Sequence, residues 1–292
     1  MRNRLQFIAI TAAIAALVLS LLGYTYTHRA FYNNLGDYYK QELNWDTCYD
    51  NFECTELAVP IDYENIRTGT FKISVLRYAA QDPANRIGSL IINPGGPGAS
   101  GVDYAYNAEY IFDPDLTDRY DIVGFDPRGV ARSVPITCFN DAETDANYAA
   151  DSKPDNATEF REAVVESKKF IEKCEKKNEH LTSFSTANAA RDMDILRAAL
   201  GEEKLNYLGK SYGTYMGALY ATLFPNNIGR VILDGAVDPQ ISSLEQTKTQ
   251  AVGFDNALQA FIADCITQSS CPLPSNQSQA TAKLLSIWQS AA

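Results

Sequence analysis

Short apolar runs recur along the first two thirds of the chain and alternate with longer amphipathic stretches. Cys54–Glu64 ("CTELAVPIDYE") and Gly69–Ala80 ("GTFKISVLRYAA") read as early strands. In the second, Phe71, Ile73, Val75 and Arg77 alternate with Lys72, Ser74, Leu76 and Tyr78, which only partly fits a strand with one wet face. Gly88–Asn93 ("GSLIIN"), Tyr120–Asp126 ("YDIVGFD"), Leu205–Leu208 and Arg230–Gly235 are apolar runs too short for helices. Between them, Glu159–Lys177 is charged and helical, with Phe160, Val164, Val165, Phe170 and Ile171 as its apolar positions. Ala187–Leu200, closed by Gly201, and Tyr212–Phe224, stopped by Pro225, read as two more helices. Short strands alternating with helices predict an α/β fold, a mostly parallel sheet covered by helices on both faces. From about Asp238 the pattern changes, and residues 240–292 read as helices with no convincing strand.

The N-terminus stands apart from this pattern. Arg2 and Arg4 precede Leu5–Tyr24, a stretch without a charge. A spanning helix needs about 20 apolar residues, and no small-x-small cleavage motif follows promptly. Residues 1–24 are therefore expected to form a transmembrane helix, an anchor in preference to a cleaved signal segment of a secreted protein. The arginines would keep the N-terminus in the cytoplasm and the remainder outside. Residues 25–45, polar and tyrosine-rich, are expected to be a tether, and residues 46–239 the α/β core. A net charge of −11 excludes nucleic acid as a partner, because phosphates call for a basic face.

The six cysteines are Cys48, Cys54, Cys138, Cys174, Cys265 and Cys271. Six cysteines allow fifteen pairings, which spacing does not resolve. Clips Cys48–Cys54 and Cys265–Cys271 would close short loops at low entropic cost and leave Cys138 for Cys174. An exported chain would keep such bonds. With no C-x-x-C spacing and 2 histidines, the chain offers no zinc site, and no metal or cofactor is expected.

In an open α/β sheet, chemistry collects at the carboxyl ends of strands. Leu208 runs into Gly209-Lys210-Ser211-Tyr212-Gly213, a G-x-S-x-G pattern at a strand-to-helix turn, which would expose the Ser211 hydroxyl at a helix N-terminus. Ile92 runs into Asn93-Pro94-Gly95-Gly96-Pro97-Gly98, where backbone N–H groups can approach a ligand oxygen closely. These turns assign Ser211 as nucleophile and the N–H groups of Gly96 and Tyr212 as an oxyanion hole. A phosphate loop is the rival for the glycine-rich turn, but G-x-x-x-x-G-K-[ST] is absent. Asp126 and Arg128, in the turn after the Tyr120–Asp126 run, are expected to pair locally and fix that turn.

Here the sequence resembles the α/β-hydrolase fold and, within it, the secreted tripeptidyl aminopeptidase and proline iminopeptidase family of serine peptidases. The resemblance rests on "CTELAVPIDYEN", "LIINPGGPGASG", "YDIVGFDPRGVARS", "STANAARDMDILRAALGEEKLNYLGKSYGTYMGALYATLFP" and "RVILDGAVDP", from about Trp45 to Pro239. The cysteine positions also look like the family's, which supports disulfides. Ala131 departs from the pattern, which usually carries glycine there, and Lys210 is a second oddity beside the serine. The resemblance implies a peptide substrate with a free N-terminus, from which a short peptide or a proline is removed. It also implies a helical cap, of which residues 240–292 would be the start, with Asp238 and Glu245 as weak candidates for holding the substrate's amine.

In this fold the chain order is serine, acid, histidine. No histidine follows Ser211, and the last two strands expected after the cap are absent. His28 sits beside the expected anchor, and His180, in "KKNEHLTSF", reads as a surface residue. Asp234, at the end of its strand, could serve as an unusual acid but not as the base. The expectation is therefore an incomplete copy of a membrane-anchored serine aminopeptidase, inactive by itself. An esterase of the same fold and a truncated relative with a binding role are the alternatives.

Overall fold

The computed structural model describes residues 32–150 and 153–291, so the expected membrane helix and His28 lie outside the described residues. No helix among the described residues is long and apolar enough to cross a membrane. The chain divides into two compact units, one reaching to Ala236 and one of Val237–Ala292.

In chain order the first unit contains helix α1 (Leu35–Tyr39), strands β1 (Asp46–Cys48), β2 (Phe52–Pro60), β3 (Thr70–Tyr78) and β4 (Gly88–Asn93), and helices α2 (Gly101–Tyr106), α3 (Ala108–Ile111) and α4 (Pro114–Thr117). There follow β5 (Tyr120–Phe125), α5 (Asp141–Tyr148), α6 (Ala157–Lys177), α7 (Thr186–Ala199), β6 (Leu205–Lys210), α8 (Tyr212–Leu223) and β7 (Ile228–Asp234). The strands form one sheet in the order β1-β2-β3-β5-β4-β6-β7. β1, β2, β3 and β5 pair antiparallel, while β5, β4, β6 and β7 pair parallel, so the sheet is mixed.

Every residue of β4 is buried, because helices cover both faces of the sheet. Ile91, Val123, Phe125 and Tyr207 meet Met193 and Leu196 of α7 and Met216 and Tyr220 of α8 on one face. Leu90, Ile92 and Ile122 meet Val102 and Ala105 of α2 on the other. The same two layers explain the imperfect alternation in β3. Phe71, Ile73 and Val75 belong to the first cluster, and Leu76 and Tyr78 to the second.

The stretch read as a tether is folded onto the core from Tyr32 onward. Tyr38 is 1% exposed and bonds Thr70 Oγ1 at 2.8 Å. The Gln41 side-chain amide accepts from Ala58 N and donates to Ala58 O, at 2.8 and 2.9 Å, extending the β2 edge like one more residue of sheet. Tyrosines there are core and anchor groups, which polar composition concealed.

Two buried carboxylates on α7 tie distant elements together. Asp192 accepts from Arg128 Nε at 2.7 Å and Nη2 at 2.6 Å, and from the Tyr63 hydroxyl at 2.7 Å. Arg128 also donates to the carbonyls of Pro60, Ile61 and Ser183. Burial opposes its charge, but Asp192 outweighs burial and holds the guanidinium above its ordinary pKa. The expected Asp126–Arg128 pair is thus replaced. Arg128 turns inward to Asp192, and Asp126 pairs with Arg132 at 3.3 Å. Asp194 accepts from Tyr39, Arg197, Tyr220 and Asn227 at 2.7 to 2.9 Å. Burial raises its pKa, and those bonds more than offset it, so the carboxyl lies below its ordinary value.

The cysteines pair as Cys48–Cys54, Cys138–Cys174 and Cys265–Cys271. The first closes the β1–β2 hairpin. The second ties α6, none of whose residues is buried, to the loop before α5. In the second unit, α9 (Ser243–Cys265) and α10 (Gln277–Ala291) bury Ile262 and Ala280.

Replacing Arg128 by leucine leaves Asp192 buried and unpaired, so a stability loss of about 3–5 kcal/mol is expected in urea unfolding. For Asp194 the depressed native pKa means stability present above its unfolded value of 3.8 and lost as pH falls through the lower native value. The stability gap between wild type and Asp194→Asn should therefore shrink as pH drops below 3.8.

Candidate active site

β6 delivers Ser211 to the carboxyl edge of the sheet and α8 carries the chain away. Ser211 takes φ 52° and ψ −121°, a strained backbone for a residue with a side chain, and is exposed. Three contacts hold the strain. Ser211 N donates to Asp234 O at 2.9 Å, and the Ser211 carbonyl accepts from Thr214 N and Oγ1 at 2.9 and 2.6 Å. The flanking glycines make the bend fit. A Cβ on Gly209 would lie 2.4 Å from Gly213 O, and one on Gly213 would lie 2.7 Å from Asn93 O. This is the conformation of a nucleophile elbow.

The glycine-rich loop after β4 lies directly against this turn, because β4 and β6 are parallel neighbours with Asn93 opposite Gly209. A Cβ on Gly95 would fall 2.4 Å from Lys210 O, 3.0 Å from Tyr212 N and 3.1 Å from Ser211 Cβ. Gly95 and Gly96 have φ of 92° and 107°, open to glycine alone at little cost. Asn93 Oδ1 accepts from Gly95 N at 2.9 Å and starts the loop. Asp126 ends it. Its buried carboxylate accepts from Ser100 Oγ at 2.5 Å and Val102 N at 3.2 Å, at the N-cap and first turn of α2. Tyr212, at the first position of α8, has no intrahelical acceptor for its N–H. Its ring hydroxyl meets Thr186 Oγ1 at 2.5 Å, locking the first turn of α8 to that of α7.

A hollow of about 280 Å³ opens beside the elbow, lined by Gly95, Pro97, Val130, Ile136, Phe184 and Met216 among others. Larger hollows of 460 to 630 Å³ lie at Tyr63 and Arg191, at Glu56 and Arg132, and along α6. Residues of the elbow line none of these three, so chemistry and not size selects the smaller one.

The remaining expected residues are dispersed. Lys210 Nζ lies 3.9 Å from Asp234 Oδ2 and 5.8 Å from the Tyr104 ring centroid. The Tyr104 hydroxyl, then Asp234, raise the pKa of its ammonium. His180 caps a turn at φ 59°, half exposed, with Nε2 4.0 Å from Glu179. In the second unit, Asp238 accepts from Gln240 N, and Glu245 N donates to the Ser242 cap. Ala131, the departure from glycine, sits at φ 42°, where glycine would be relaxed. Sequence reasoning missed the Thr186–Tyr212 lock and the place of Ile136 and Phe184 in the lining of the hollow.

Comparison with known proteins bears on the fold. A family model described as the alpha/beta hydrolase fold matches residues 88–287. The chain is 37% identical to the serine protease Hip1 of Mycobacterium tuberculosis strain H37Rv, over 94% of this chain and 55% of that protein. It is 38% identical to the tripeptidyl aminopeptidase of Streptomyces lividans, over 68% of this chain and 38% of the relative. It is 37% identical to carboxylesterase B of Mycobacterium tuberculosis strain CDC 1551, over 82% and 48%. The chain thus spans about half the length of the curated relatives it matches. With that family model matching residues 88–287, the chain belongs to the α/β-hydrolase fold family.

Proposed function

We propose that this chain carries the nucleophile of a serine hydrolase that removes short peptides, or a proline, from free peptide N-termini. The carrying observation is Ser211, exposed at positive φ with the glycine loop against its Cβ. Ser211 Oγ attacks the scissile carbonyl carbon while a base takes its proton. The carbonyl oxygen becomes an oxyanion, which the N–H groups of Gly96 and Tyr212 stabilise, each worth about 2.7–4 kcal/mol in such sites. Collapse expels the amine, which takes the proton from the base, and water then cleaves the acyl-enzyme to release the peptide and restore Ser211.

Among the described residues no base for Ser211 is assigned. His180 is half exposed beside Glu179, and no histidine follows Ser211. In the usual order of this fold the acid and the histidine come after the serine. Residues 1–24 anchor the enzyme with its hydrolase unit outside the cell. The similarity to a carboxylesterase supports a second reading, an esterase on the same nucleophile.

In the full-length gene product, an organofluorophosphonate should label Ser211, and Ser211→Ala should abolish both labelling and hydrolysis of tripeptide amides. Faster turnover of short-chain esters than of every amide would favour the esterase; an unlabelled serine would sink both readings. The 292-residue chain alone should show no more than the roughly 10³–10⁴-fold acceleration over water left when a triad member is missing. Gly209→Ala should cost more than about 2 kcal/mol and remove labelling, since the elbow cannot close around a methyl group.

A further inference from the structure

The hollow beside Ser211 has a shape and a chemistry of its own. At about 280 Å³ it is below the size of most whole-ligand sites but holds one amino-acid side chain. Val130, Ile136, Phe184, Ala189 and Met216 give it apolar walls, and Tyr212 brings it to the elbow. Four polar side chains around it are already engaged. Arg128 lines it too, but its guanidinium is 1% exposed and bonded to Asp192 and three carbonyls. Ser185 Oγ accepts from Asn188 N, and the Thr186 and Tyr212 hydroxyls bond each other.

We propose that this hollow receives the side chain of the residue whose carbonyl Ser211 attacks, and that it selects a medium-sized, uncharged, apolar side chain. The proposal rests on acyl transfer through Ser211. A charged side chain would enter without a partner and lose its hydration. The width is set by Gly129, at φ 85°, where a Cβ would fall 2.9 Å from Phe184 Cδ1 and 3.2 Å from Ile136 Cδ1. Those two rim residues stand at the two roots of the α5–α6 arm. Cys138–Cys174 and two hydrogen bonds between Asn178 and Thr137, both 3.1 Å, tie the roots together. The arm is thus a brace that fixes the distance across the pocket.

The test uses the full-length gene product and peptide amides that differ only in the residue at the cleaved carbonyl: glycine, leucine, phenylalanine, glutamate and lysine. Leucine should exceed glycine by about tenfold or more in kcat/KM, and glutamate and lysine should fall below glycine. Ile136→Trp, which fills the pocket, should cut the leucine-to-glycine ratio at least about tenfold, and Ile136→Ala should raise the phenylalanine-to-leucine ratio. A flat profile, a charged favourite, or an Ile136→Trp variant that lowers all five amides equally overturns the proposal while leaving Ser211 as nucleophile. Failure of the organofluorophosphonate to label Ser211 removes the acyl-transfer reading and this pocket with it.

Discussion

The close approach of Gly209 to Gly213 is the constraint on which this structure turns. With 2.4 Å between a would-be side chain at 209 and the carbonyl of 213, only glycine lets α8 start within one residue of the end of β6. That tight reversal forces Ser211 to positive φ and throws its side chain out of the sheet edge. It also brings α8 down onto Tyr207, whose hydroxyl donates to Gly213 O at 2.7 Å. The strain at one residue is held by packing along two elements, as an over-determined bend requires.

The loops around the elbow are held by charges drawn from far along the chain. Asp126 fixes the glycine loop through Ser100 and the first turn of α2. Arg128, two residues on, points the other way, into the core, and joins β2, α7 and the turn before α7 through a single guanidinium. One short turn after β5 therefore supports both the loop over Ser211 and the wall of the hollow beside it. A buried ion pair gives little net stability over an apolar replacement. Its use here is to fix the orientation of three loops that have no regular structure of their own.

β4 and β5 were legible because burial on both faces makes them short, nearly continuous apolar runs. β4, Gly88–Asn93, matches its expected bounds to the residue. The elbow was legible because only a strained turn needs glycine at both flanks. Partners were not legible where they are distant in sequence. Nothing near Arg128 announces Asp192, and the local Asp126 offered a simpler pairing. The segment before β1 was misread for a related reason: Tyr38 and Gln41 look polar, yet each places its one polar end on a specific partner and buries the rest. The cost of Ala131 in place of glycine is in the backbone, at φ 42°.

Lys210, next to Ser211 in sequence, does not supply a proton acceptor for it. Serine–lysine pairs do catalyse acyl transfer elsewhere, but they need a neutral amine near neutral pH. Burial among apolar groups achieves that by lowering the lysine pKa. Lys210 has the opposite setting. It is partly exposed and Asp234 lies 3.9 Å away; the nearby Tyr104 hydroxyl, then Asp234, raise its pKa, so the ammonium persists. Beside Ser211 it is a fixed positive charge. A persistent ammonium cannot take the serine's proton. In the proposed reaction, then, Lys210 is not the group that takes the proton of Ser211.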